Sequence, residues 1–487
     1  MSWIIVAEIV LYCICMIGIG VYFSRKKLSQ EEFMLGGNKL PGWALAFSER
    51  AACESVYLLM GLTGFVYANG VSGAWVLIGS AMGTMGFWLF FGKRIRQDNE
   101  KYGALTLTEY IAMKFGAKAN LIRWFISINV GIFFMFYLGA QFSGAGKTLL
   151  TVTGLKPAYG MLITVIVVVL YTTMGGFMSI VWADVVQSIL MVGTLVVVPI
   201  TAFFVIQAQG IDISAALLEA GPNISSWTGG MNGMAAFLLI FANLNWCFTF
   251  YGGQPQLTSR VMAMRSVKEY NTSRNVAVGW IAAGYTGVFF IGILGVALYG
   301  YDALADPETL LPYMIQDLFP APLAGILIAG IFAAMMSTCA SVIMVVSGTL
   351  SEDIIHKALG KNLTSDQLVR LSRIVILCAG ALGLFVAMTS GKLIYYITSW
   401  MNAGVGSVLS AIVLLGLFYK KSSARGIAWS ILIGTIFTIG WMITPLENIV
   451  SARFMSFAVT ILSGILLSHL CPDSKYETEM SESQAAG

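Results

Sequence analysis

Charge is what this 487-residue sequence has least of: Asp, Glu, Lys and Arg make up 11% of it, against 57% hydrophobic residues. So little charge cannot cover a water-facing surface, which excludes a soluble enzyme or binding domain. Histidine is nearly absent. With only His356 and His469, both in or near span ends, no nucleophile-and-base set can be assembled, so no enzyme is indicated. The seven cysteines (Cys13, Cys15, Cys53, Cys247, Cys339, Cys378, Cys471) lie almost all in apolar stretches and form no CxxC pair. That excludes a disulfide framework and a zinc site. The net charge of +4 is distributed by loop side rather than gathered in a patch, so nucleic acid is not an expected partner. A channel is disfavoured too, because no ring of like residues or short filter loop is visible.

What the chain has in abundance is apolar runs. A helix needs about 20 apolar residues to cross the hydrocarbon core. On that measure there are about thirteen spans, near 3–23, 43–70, 72–92, 122–147, 158–176, 180–206, 230–252, 274–299, 321–348, 371–390, 394–418, 424–443 and 452–470. The first is followed by Arg25, Lys26 and Lys27 without a small-residue cleavage site, and reads as a retained span rather than a signal peptide. Basic clusters at 25–27, 93–96, 260–268, 357–370 and 420–425 all fall on one side. The loops 207–229 and 300–320 on the other side hold acids but no Lys or Arg. The positive-inside rule then predicts an outside N-terminus and an inside C-terminus. Lys147, Lys156, Lys392 and Arg453 are scattered exceptions on or near the outer side. Residues 1–471 read as one transmembrane domain, and 472–487 as a short disordered cytoplasmic tail.

Two spans are interrupted, and they are five apart. The second carries Glu49, Arg50 and Glu54 within Ser48–Ser55, each costing about 2.5–3.5 kcal/mol to insert. The seventh, 241–255, contains two Asn, a Gly-Gly pair and Pro255, which weaken helical hydrogen bonding. Broken helices in matching positions of two inverted halves expose backbone groups that bind solute and ion at mid-membrane. Other readings stay open: Glu49 and Arg50 pair with each other or with the cytoplasmic interface, and Gly252, Gly253 and Pro255 simply end a helix. Glu54, one turn deeper, is expected to act in function rather than as a structural ion-pair partner. In the ninth span Ala334, Ser337 and Thr338 stand at i, i+3 and i+4, so one carbonyl and two hydroxyls share a helical face suited to a small hard cation, Na⁺. The alternative is that both hydroxyls only bond their own backbone at i−4.

Further stretches become legible together. They are Tyr171-Thr172-Thr173-Met174-Gly175-Gly176 running into Trp182-Ala183-Asp184-Val185-Val186-Gln187, then Tyr251-Gly252-Gly253-Gln254-Pro255 with Arg260 and Met262, and Ala333-Ala334-Met335-Met336-Ser337-Thr338 with Ser351-Glu352-Asp353. With the LGG at 35–37 and LLMGL at 58–62, this pattern resembles the sodium/solute symporter family over nearly the whole chain, closest to its bacterial sodium/proline branch. The resemblance implies an all-α polytopic membrane protein of leucine-transporter type. Its five-plus-five inverted repeat would occupy about 43–206 and 230–418, in a bacterial cytoplasmic (inner) membrane. It also implies sodium-coupled uptake of a small amino acid, L-proline first, with Na⁺ as coupling ion, no organic cofactor and no obligate protein partner.

Carried over residue by residue, sodium would meet the carbonyls of Ala51 and Glu54 with Ala334, Ser337 and Thr338. Asp184 would support the sodium path with Ser341. Members with a second sodium use hydroxyls where this chain has Ala340 and Ser341, so one ion per cycle is expected. Cys53, Ser55, Tyr57, Tyr137, Trp246, Cys247, Tyr251, Gln254 and Pro255 would face the solute. Two departures matter: Cys53-Glu54 stands where that branch has an aspartate then a methionine, and Cys247, beside Trp246, stands where it has a tryptophan. The aromatics Tyr137, Trp246, Phe248 and Tyr251 are equally read as interfacial anchors. Another small solute of the same family, such as another amino acid, a monocarboxylate or a vitamin, is the main alternative. A solute-sensing receptor is a weaker one, since only the short tail follows the last span.

Overall fold

The computed structural model describes residues 3–25, 27–116, 119–389 and 394–472; Lys26, Lys392 and the tail from Asp473 onward, which entered the sequence reading, lie outside the described residues. Among the described residues the chain is helical throughout, and its isolated β pairing is a single bridge between Leu40 and Met264. Ten helices among the described residues are long and apolar enough to cross a membrane. Large apolar side chains such as Trp3, Leu11, Phe90, Phe136, Phe204, Phe385 and Leu466 are exposed on their outer faces, where lipid replaces water as the solvent.

Two of these runs, Gly42–Tyr102 and Pro157–Gln209, extend for 61 and 53 residues. Glycines at positive φ redirect the chain inside both: Gly70 (φ 60°) and Gly176 (φ 57°). A side chain is excluded at Gly70, because a Cβ there would lie 2.0 Å from the Ile224 carbonyl oxygen.

The helix Ala321–Gly348 forms the centre, with every residue from Leu327 to Met344 buried. It packs against Pro157–Gln209, Gly42–Val56 and Ala119–Thr153. Small residues permit this: at Gly330 a Cβ would meet the Thr194 hydroxyl at 2.3 Å. The last two helices, Ala424–Met442 and Ala452–Leu470, pair with each other at the periphery.

One surface assignment needs correcting. Arg260, counted among the basic clusters of the cytoplasmic side, is 1% exposed and points into the protein. Its cation serves a buried carboxylate rather than the membrane surface.

Candidate functional site

The second span does break. Its helix Gly42–Val56 contains Ser55 at φ 53°, ψ −172°, a conformation that costs a residue with a side chain about 1–3 kcal/mol. Neighbours hold it there. The Tyr57 N–H donates to Ser55 Oγ at 3.0 Å, and the Val56 N–H donates to Gln141 Oε1 at 3.1 Å. Gln141 carries no local signal in the sequence that would have revealed this.

Against the break stands the hydroxyl face of Ala321–Gly348. Ser337 Oγ donates to the Ala51 carbonyl at 2.8 Å, and Thr338 Oγ1 lies 3.3 Å from the Ala52 carbonyl. Both hydroxyls also lie 3.1 Å from the Ala334 carbonyl. The i−4 backbone bond and the bridge across to the broken span therefore occur together. Ala51, Ala334, Ser337 and Thr338 converge as hard neutral oxygens, the donor chemistry that suits Na⁺. The carbonyl of Glu54 is turned along its own chain instead, where it accepts from the Tyr57 N–H.

The Glu54 side chain departs from expectation. It is an ion-pair partner: Arg50 Nη1 donates to Glu54 Oε1 at 2.7 Å, and Arg50 Nε donates to Glu49 Oε2 at 2.6 Å. Arg50 Nη2 also donates to Glu49 Oε1, and Trp88 Nε1 donates to Glu49 Oε2 at 3.0 Å. All three charged groups are buried, and one guanidinium serves two carboxylates. The cation that offsets the cost of Glu54 is thus, at least in part, Arg50.

Asp184 has a similar companion. Ser48 Oγ donates to Asp184 Oδ2 at 2.6 Å, Arg260 Nη2 donates to the same oxygen at 3.2 Å, and Arg260 also donates to Ser341 Oγ. Asp184 and Ser341, paired by the resemblance, are brought together through Arg260. Sequence reasoning missed this residue, although a buried acid on one helix calls for a cation on another.

The expected solute residues divide. Tyr57 stacks on Trp246 with centroids 4.6 Å apart and planes 27° apart, and Tyr395 lies 6.1 Å from Tyr57. Tyr137 is buried next to Ser55. These aromatics are interior, not interfacial anchors. Cys53 is buried at the same break. Tyr251 instead packs with Phe91, Phe248 and Phe457, and the Cys247 backbone lies against Gly83, so these two join a separate aromatic group. The reason is geometric. A tight turn at Asn245–Thr249 sends successive side chains to different faces.

Gln254 and Pro255 belong to the second break. Gly252 adopts φ 91°, Gln254 Nε2 donates to Asn402 Oδ1 at 2.8 Å, and Pro255 opens the helix Pro255–Met262. Gln256 Nε2 in turn donates to Gln254 Oε1 at 2.8 Å. The amide of Gln254 is therefore engaged with the Asn402–Ser407 segment.

Two broken spans packed about a central helix, with a hard-oxygen face beside an aromatic wall, define a membrane transporter that couples a small solute to a cation. The chain belongs to the sodium:solute symporter family, whose model matches residues 33–434. The high-affinity proline transporter PutP of Bacillus subtilis (strain 168) is 33% identical over 453 residues, covering 92% of this chain and 94% of its own. The osmoregulated proline transporter OpuE of the same organism is 27% identical over 475 residues, covering 96% and 95%. Among solved structures, a Na⁺-coupled sialic acid symporter in a substrate-bound outward-open state superposes with a TM-score of 0.80 at 20% identity, covering 96% of this chain and 98% of that one. That likeness shows the fold. The protein is accordingly an integral membrane protein of the bacterial inner membrane that takes up a solute with sodium.

Proposed function

We propose that this symporter takes up L-proline with one Na⁺ per cycle by alternating access. The observation that carries the reading is the convergence of Ser337, Thr338 and the carbonyls of Ala51 and Ala334 beside the break at Ser55, two residues before Tyr57 of the Tyr57–Trp246 stack. The oxygens suit sodium, and the stacked rings suit the apolar ring of an imino acid. Glu54 joins them through the segment between. Two relatives named as proline transporters support the choice of solute. One sodium is favoured because Ala340 offers no hydroxyl and Ser341 Oγ already accepts from Arg260. Asp184 and Ser341 then line or support the ion's route. Cys53, Tyr137, Gln254 and Pro255 are assigned to the solute's surroundings on the same reading.

Thirteen crossings with the N-terminus outside belong to the same reading. The two long runs redirected at Gly70 and Gly176 each cross twice, and the shorter apolar helix Gly233–Thr249 continues as the seventh span. A second reading, another small amino acid or a monocarboxylate, is favoured by one observation: Cys53-Glu54 replaces the expected acid, and Glu54 is held by Arg50. Counterflow in proteoliposomes with labelled L-proline and a panel of such solutes, with and without sodium, decides between them. Sodium-dependent counterflow of proline above the rest is expected. Preference for another solute overturns the proline assignment.

A further inference from the structure

Arg453 stands near the start of the peripheral helix Ala452–Leu470, beyond both broken spans, yet it is only 5% exposed. Its guanidinium lies 4.4 Å from the centroid of Trp246, the ring that stacks on Tyr57. This is a cation–π contact in a desolvated place, where such contacts are strongest.

The guanidinium nitrogens are also engaged. Nε donates to Asn245 Oδ1 at 3.0 Å, Nη2 donates to the Ala242 carbonyl at 3.0 Å, and Nη1 donates to Ser399 Oγ. Those acceptors lie on two separate stretches of chain. Ala242 and Asn245 belong to the end of the helix Gly233–Leu244 and the tight turn that follows it, where helical hydrogen bonding is being given up. Ser399 belongs to Ile394–Met401, just before the widened turn Asn402–Ser407. One cation thus ties the seventh-span break to the helix that carries Tyr395.

Buried guanidinium is expensive in a membrane protein, and the acid closest along the chain, Glu447, accepts from the Ala452 N–H at 2.6 Å. Packing alone would be served more cheaply by an apolar side chain of similar volume. The fork geometry of arginine is what holds an indole plane and three acceptors in one register.

We infer that Arg453 is a positioning residue for solute binding: from a helix outside the two broken spans, it sets the Trp246 ring against Tyr57. This rests on the reading of Tyr57 and Trp246 as the wall of the solute site. A wall held in its binding conformation before solute arrives lowers the ordering cost of binding. The effect therefore falls on solute affinity rather than on the sodium oxygens, which lie on Ala321–Gly348 and, at Ala51, on Gly42–Val56, neither of which Arg453 touches.

The test uses the full chain in proteoliposomes, with labelled L-proline as the first probe. If wild type prefers another solute of the panel, the proline assignment falls and the same measurements are made with that solute. In Arg453→Met the solute KM is expected to rise at least tenfold, with membrane abundance, maximal rate and half-saturating sodium within about twofold of wild type. Arg453→Lys, which keeps a charge over the indole but loses the fork, is expected to fall between the two. Combined with Trp246→Phe, the methionine variant is expected to add little to the KM of Trp246→Phe alone. Wild-type KM in Arg453→Met overturns the inference, as does full additivity with Trp246→Phe or an equal shift in the sodium response. If the methionine variant fails to reach the membrane, the lysine variant decides, and a wild-type KM there overturns it.

Discussion

In the second span the chain turns at Ser55, whose side chain must be accommodated at φ 53°, whereas in the seventh it turns at Gly252, which reaches φ 91° with no Cβ to place. The first break sits beside two acids and an arginine; the stretch from Phe241 to Pro255 carries no ionisable acid or base beyond Cys247 and Tyr251. Their supports differ accordingly. Gln141, Ser337 and an ion-paired triad brace the first, while Gln254, Asn402 and Arg453 brace the second. A strained, charged break is costly and needs rigid partners, and it lies against the hydroxyl face proposed for sodium. A glycine break costs little, and its shape is imposed from neighbouring helices. On the proposed reading the ion would sit at the first break and the solute between the two breaks, at the Tyr57–Trp246 stack.

That contrast is broken most severely at Arg50. Arg50→Met leaves Glu49 and Glu54 buried without their cation, a loss of about 3–5 kcal/mol. Little folded protein in the membrane is expected, measured by abundance and by size-exclusion profile after solubilisation. Wild-type abundance and monodispersity would show that the triad contributes little to the fold. Ser337→Ala and Thr338→Ala come next. Each removes one hard oxygen from the face that meets Ala51 and Ala52. Half-saturating sodium is expected to rise tenfold or more while uptake at saturating sodium recognises the same solute. Unchanged sodium dependence in both variants would remove the ion from this face. Glu54→Gln follows, because Arg50 keeps Glu49 and the fold survives. Normal abundance with loss of most sodium-driven uptake is expected, and sodium should cease to enhance solute binding. Normal transport by this variant would make Glu54 a structural partner of Arg50 alone.

The helices were legible because lipid demands long apolar runs, and the hydroxyl face was legible because i, i+3 and i+4 are neighbours on one helix. Arg260 and Arg453 were not. Basic residues near span ends are read as surface charge under the positive-inside rule, and nothing local marks a side chain that turns inward. Their partners are remote, with Asp184 lying 76 residues from Arg260 and Asn245 lying 208 from Arg453. Periodicity also fails at a break. Trp246 and Cys247 are adjacent and each fits the resemblance, but only the tight turn decides that Trp246 meets Tyr57. The pairing of Glu54 with Arg50 was, by contrast, available as an i, i+4 spacing.

The smallest expected effect separates strain from hydrogen bonding at Ser55. Its backbone occupies a region that glycine enters freely, so Ser55→Gly relieves about 1 kcal/mol or more of strain. The same change removes the hydroxyl that accepts from the Tyr57 N–H, a bond worth about 1 kcal/mol. Glycine also adds entropy to the unfolded chain, which offsets part of the relief. The three terms nearly cancel, and the thermal midpoint of the solubilised protein should move by no more than a few degrees. Ser55→Ala keeps the strain and loses the bond, so it should melt at a lower temperature than Ser55→Gly. This ordering is opposite to the one expected inside an ordinary helix, where alanine is the more stable residue. Alanine melting above glycine would mean that Ser55 carries no strain, and the asymmetry between the two breaks would then rest on charge alone.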